Sequence, residues 1–245
     1  ASDSIATPLL MSPFRLPGRA GLTPPNKAPD DFGCLHGLFN DSVPDGWGRL
    51  LLDRLLDKLG VKPSDVTPLD RLSAVGTTGM GALTFIPELS QEKHGPNDLD
   101  WFVEQVDRVQ SEMDTADIDA LHVAQGGSAG ARPKIMIGLA SAKNSFFIDY
   151  GLEMKPGFEH WLVKGRSIHD QKDIGVEEHA YALMARAAGL EMAETRVINT
   201  AKGNRLFATK RFDRNSNGRL HMHTASGLLN VSHREPSLDY EALHK

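Results

Sequence analysis

Apolar positions along this chain keep a helical rhythm in its first half and a strand rhythm in much of its second. The stretch "RLPGRAGLTPPNKAPDD" has neither, and its prolines and glycines predict irregular or extended chain. In "SVPDGWGRLLLDRLLDKLG", Leu51, Leu52, Leu55, Leu56 and Leu59 recur at helical spacing, with Asp45 as N-cap and Gly60 as the stop. "SDVTPLDRLSAV" predicts a shorter helix with Pro68 near its start, and "GALTFIPE" a strand halted by Pro87. "NDLDWFVEQVDRVQSEM" predicts a third helix carrying Trp101, Phe102, Val106 and Val109 on one face.

Past about residue 120 the texture changes. "ARPKIMIGLA" and "SFFIDYG" predict a hairpin across the polar turn "SAKN", and "HWLVKGRS" a further short strand. "GVEEHAYALMARAAGL" is a helix closed by Gly189. "ETRVINTAKGNRLFATKRFDR" predicts a second hairpin turning at Lys-Gly-Asn; alternation puts Leu206, Ala208 and Lys210 on one side and Phe207, Thr209 and Arg211 on the other. No internal repeat or low-complexity segment is visible. The division falls between residues 1–120, a mixed helical and strand half, and residues 121–245, a sheet-rich half with one helix. The expected class is α+β.

Composition narrows the function classes. The 245 residues are 40% hydrophobic and 24% charged, ordinary for a globular protein, with net charge −5. That balance argues against direct binding to a phosphate backbone. No apolar run approaches the length of a membrane span, and the first residues lack the order of a signal peptide. The single cysteine, Cys34, excludes an intrachain disulfide and a cysteine-rich zinc module, fits a reducing cytoplasm, and reads as a buried small residue rather than a nucleophile.

Two glycine clusters invite comparison with phosphate loops. "GTTGMGALTF" has a helix before it and a strand after it, the reverse of the order a dinucleotide fingerprint needs, and reads as a turn. "QGGSAGARPKIMIG" leads into a strand, the order of the glycine-rich loop of protein kinases, where backbone N–H groups lie over nucleotide phosphates. Gly126, Gly127 and Gly130 would let backbone approach oxygen closely, and Lys134 would face phosphates or solvent. A plain tight turn is the competing reading.

Some thirty residues on, "WLVKG" places Lys164 on an apolar strand, where an unpaired ammonium is costly to bury. "VEEHAYALMARA" then supplies carboxylates on a helix. Glu178 shares its stripe with Tyr181, Ala182 and Ala185, so Glu178 is the expected partner of Lys164 and Glu177 the solvated one. A surface lysine and a surface glutamate are the alternative. His221 and His223 in "HMH" share a face, but no third ligand is near, so no metal site is assigned. A hydrolase reading of Ser128 fails for want of a Gly-x-Ser-x-Gly elbow.

In order and spacing, "GARPK", "WLVK", "EEHAYALMARAAGL" and "RFDR" resemble the HipA-like serine/threonine kinase toxins. "LFNDSVPDGWGRLLLDR" and "PLDRLSAVGTTGMGALTF" resemble that family's N-terminal motifs, so the likeness covers nearly the whole chain. It implies a cytoplasmic bacterial kinase that uses ATP and Mg²⁺ and phosphorylates a protein. It also implies a small DNA-binding antitoxin as partner, with operator DNA reached only through that antitoxin. On matching positions Ala129, Gly130, Ala131, Arg132, Pro133 and Lys134 would form the phosphate loop and Lys164 the nucleotide lysine. Glu178 would be the helix carboxylate, Lys210, Arg211 and Phe212 the linker that meets adenine, and Ser128 the regulatory phosphorylation site.

The family's catalytic aspartate and its Asn and Asp ligands for Mg²⁺ belong to a helical large lobe and find no match before "SLDYEALHK". Asp213 in "RFDR" comes too early for catalysis and is expected in a salt bridge. The resemblance therefore points to an N-terminal subdomain plus a kinase-like small lobe. Such a chain would carry the nucleotide-binding half of the enzyme, or act as an antitoxin- or nucleotide-binding module without chemistry of its own.

Overall fold

The structure is a computed structural model and describes residues 11–12, 16, 24, 28–89, 94–140, 145–151, 153–236 and 238–243. Most of the Pro/Gly-rich opening stretch and the "SAKN" turn lie outside these residues. The described chain is α+β: helices packed on a five-stranded antiparallel sheet.

Helices α1 (Gly37–Asn40), α2 (Gly46–Lys58), α3 (Pro68–Val75), α4 (Leu99–Gln110) and α5 (Ile118–Ala124) come first. In α2 the leucine stripe is buried at Leu51, Leu52 and Leu55, whereas Leu59, at the C-cap, is exposed. Thirteen residues make a marginal helix alone, so burial of those leucines, about 1.5–3 kcal/mol each, holds it. Helix α3 starts with a capping box in which Thr67 and Asp70 satisfy one another's backbone. Asp98 caps α4 and Asp117 caps α5, each accepting from its own first turn.

The sheet is built from β1 (Lys134–Ala140), β2 (Phe146–Ile148), β3 (Phe158–Lys164), β4 (Thr195–Asn199) and β5 (Arg205–Lys210), in the order β2-β1-β3-β5-β4. Helix α6 (Ile174–Ala187) packs on β5 and β4. A two-residue hairpin, β6 (Arg214–Asn215) and β7 (Gly218–Arg219), follows, then α7 (Ala225–Leu229) and α8 (Tyr240–Leu243). Register pairs Ile135 with Val163, Ile137 with Trp161 and Val163 with Ala208. These side chains share a face and enter one core with Trp47 and Leu51 of α2, Phe102 and Val106 of α4, and Leu121 and Ala124 of α5. Residue 120, where the sequence divides by texture, lies inside α5.

Two expectations need correction, and one element was not foreseen. "GALTFIPE" forms no strand: Gly79 O and Gly81 O accept from Arg214, and Gly81 N–H donates to Asp213. Side chains thus satisfy both backbone groups of Gly81, and Phe85 N–H donates to Gly76 O in a turn rather than to a strand partner. Cys34 is exposed, at a left-handed φ of 63°, just after a 3₁₀ turn. Helix α5 escaped the reading because seven residues give its apolar period too little length.

Candidate functional site

Alternation in the sheet sets the site. While Ile135 and Val163 point into the core, Lys134 and Lys164 fall on the opposite face, directly opposite one another across β1 and β3. Phe207 of β5 follows in the same row, its ring centroid 5.2 Å from the Lys164 ammonium. Like charges facing across a ladder are unfavourable, so the pair persists only with compensation nearby.

Part of that compensation is Glu178. Lys164 Nζ lies 3.0 Å from Glu178 Oε2 and 3.2 Å from Oε1, while Glu177 is exposed. A close approach of α6 to the sheet makes this possible: a Cβ at Gly175 would fall 2.4 Å from Arg205 O and 2.8 Å from Phe207 N. Glycine there seats the first turn of α6 on β5, and Glu178, one turn on, reaches the lysine.

The glycine-rich segment closes the site from the other side. Lys134 is buried rather than solvent-facing, and its Nζ curls back to donate to Ala129 O at 2.6 Å. Burial pushes the ammonium down to about 8, with Lys164 adding to the effect and Asp45 and Glu178 opposing it. Arg132 is steered by Asp170, 2.9 Å away, and its guanidinium is 3.9 Å from Glu178. Pro133 O accepts from Gly165 N at 2.8 Å, tying the end of the loop to the end of β3. The N–H groups of Ala129, Ala131 and Arg132 donate to nothing among the described residues, and Ala129 and Ala131 are exposed. A cavity of about 150 Å³ opens beside this cluster, lined by Arg132, Lys164, Glu178, Lys172, Arg205 and Phe207.

The remaining positions singled out in the sequence have partners of their own. The Ser128 hydroxyl is buried and donates to Gln125 O at 3.0 Å, so phosphorylation there requires the turn to open. Along the linker, Lys210 N–H donates to Glu194 O and Arg211 N–H to His160 O, which leaves Phe212, its ring exposed. The Arg211 side chain turns inward to Asp213, a fully buried carboxylate that also holds Arg214. Burial pushes Asp213 up, but Arg211, Gly81 N–H and Arg214 outweigh it and hold it below the usual range. His223 bonds Asp41 and Ser12 through its two ring nitrogens, and His221 bonds Met11 O. The sequence reading missed two contributors, Asp170 and Asp45; both act through contacts with distant chain that no local pattern reveals.

The arrangement has the chemistry of an anion site: the Lys164 ammonium and the Arg132 guanidinium, each held by a carboxylate, beside a loop whose outer amides donate to nothing among the described residues. Among the described residues no cluster of three or more His, Cys, Asp or Glu could hold a metal ion, and no helix is long and apolar enough to cross a membrane. No curated protein matches the chain. The family model for the HipA N-terminal domain matches residues 11–86, and that for the HipA-like C-terminal domain matches residues 126–245. In that order, and over most of its length, the chain belongs to the HipA-like proteins.

Proposed function

We propose that this chain carries the nucleotide-binding half of an ATP-dependent serine/threonine kinase of a toxin–antitoxin module. Kinase toxins that work with a DNA-binding antitoxin characterise the family, which gives the coarse assignment. The finer reading rests on one observation, the Lys164–Glu178 pair beside a glycine-rich turn whose outer amides donate to nothing among the described residues.

Phosphoryl transfer asks a protein mainly for positioning and charge stabilisation. Lys164, held by Glu178, would meet phosphate oxygens as a fixed point charge. Arg132, held by Asp170, would present its guanidinium beside it, and the amides of Ala129, Ala131 and Arg132 would donate to the same oxygens. This donor set fits the ATP phosphates. Among the described residues no cluster of metal-ligating side chains accompanies it. ATP would supply the phosphoryl group; the chain's residues bind and orient it.

Calorimetric titration with MgATP tests the proposal. The chain should bind, and Lys164→Met should weaken binding about tenfold or more, as loss of a charge-assisted contact to phosphate implies. Binding of equal strength in the two proteins would overturn the assignment of Lys164. Binding without phosphoryl transfer to any protein would favour the module without chemistry.

A further inference from the structure

Of the helices α2 to α5, each opened by Asp or Thr, only α2 does not use that side chain to cap itself. Thr67, Asp98 and Asp117 accept from their own first turns, but Asp45 makes no such bond. Its carboxylate accepts instead from Gly130 N–H at 2.6 Å, 85 residues along the chain. The second amide of α2 points the same way: Trp47 N–H donates to Gly130 O at 3.1 Å. Both backbone groups of one loop residue are thus held by one helix N-terminus.

The residue between them is fitted to this contact. Gly46 sits at φ 43°, and a Cβ there would lie 2.6 Å from Ala131 Cα and 2.7 Å from Gly130 O. Any side chain at position 46 would push the loop off.

From this we infer that the Asp45-Gly46-Trp47 step is a clamp on the glycine-rich turn, and that Asp45 is a positioning residue for the ligand the turn receives. The inference rests on the nucleotide reading above. It gives the first half of the chain a task in the site: α2, anchored in the core through Trp47 and Leu51, transmits its rigidity to Gly130. Loop composition alone suggests mobility, and the clamp removes it before any ligand arrives. Preorganised donors cost nothing to order at binding, which is how such a clamp raises affinity.

Two measurements on the 245-residue chain decide the matter: amide hydrogen exchange over 126–132 without nucleotide, and MgATP affinity. Asp45→Ala should speed exchange in that segment about tenfold or more, the effect of losing a hydrogen bond to a charged acceptor. It should weaken MgATP binding by about fivefold. Exchange within 51–58 should stay unchanged, since Asp45 does not cap its own helix. Asp45→Asn keeps an oxygen acceptor and should restore most of both effects. Gly46→Ala, which leaves Asp45 in place, should loosen the turn by collision, and serves if the alanine variant does not fold. Lys164→Met should lose MgATP affinity yet keep the turn protected. Unaltered exchange in Asp45→Ala and Gly46→Ala would overturn the clamp; faster exchange with unaltered MgATP affinity would overturn its positioning role. Absence of MgATP binding in the unmodified chain would overturn the nucleotide reading and the positioning role, while the exchange result still decides the clamp.

Discussion

Lys134 and Lys164 face one another across two hydrogen-bonded strands, and the molecule bears the consequence at Lys134. Burial lowers its pKa from 10.5 to about 8. Between those values the unfolded chain holds a proton on Lys134 that the folded chain has released, so folding stability rises with pH across that window. Urea unfolding at pH 7.5 and 9.5 should show this rise, and Lys134→Met should remove it; an identical slope in both proteins would contradict the assignment. At this scale the sequence was legible where one periodicity decides: the helix stripe separates Glu178 from Glu177, and strand alternation places Lys164. It was illegible where the partner is distant. Nothing near Asp45 announces Gly130, and nothing near Ser128 announces that its hydroxyl is turned inward to Gln125 O.

Elements are joined by single well-placed carboxylates. Asp100, in the first turn of α4, accepts from Thr200 Oγ1, Lys202 N–H at 2.9 Å and Asn204 Nδ2 at 3.2 Å, and so binds the helix to the β4–β5 turn. Burial pushes its carboxyl up, but those donors prevail and hold it below the usual 3.8. Its contribution is therefore complete above that value and fades as pH falls through the lowered one. Asp100→Ala should destabilise the fold by about 2–3 kcal/mol, since it strands three donors, and Asp100→Asn by less; urea unfolding measures both. Long periodic helices and alternating strands were readable because each carries its own signal. "GALTFIPE" forms no strand, and its first residue is held by Arg214 and Asp213, more than a hundred residues later, which no local pattern reveals.

Among the described residues one apolar core spans both halves, although the sequence changes character near residue 120. Trp47 and Trp161, on either side of that point, are both among its buried members. Asp213 with Arg211 and Arg214 adds a polar link between the second half and the Gly79–Gly81 turn of the first. Tryptophan emission and far-ultraviolet dichroism should therefore change at the same urea concentration, in one transition; two separated midpoints would mean independent halves. The α+β class was legible because it needs only element types in order, whereas the shared core depends on which faces meet. That sharing restricts how such a chain can be recombined. A chimera taking its first 120 residues from here and the remainder from a relative inherits two surfaces shaped for other partners. It should fold only if the side chains opposite Trp47, Leu51 and Phe102 travel with them as a matched set.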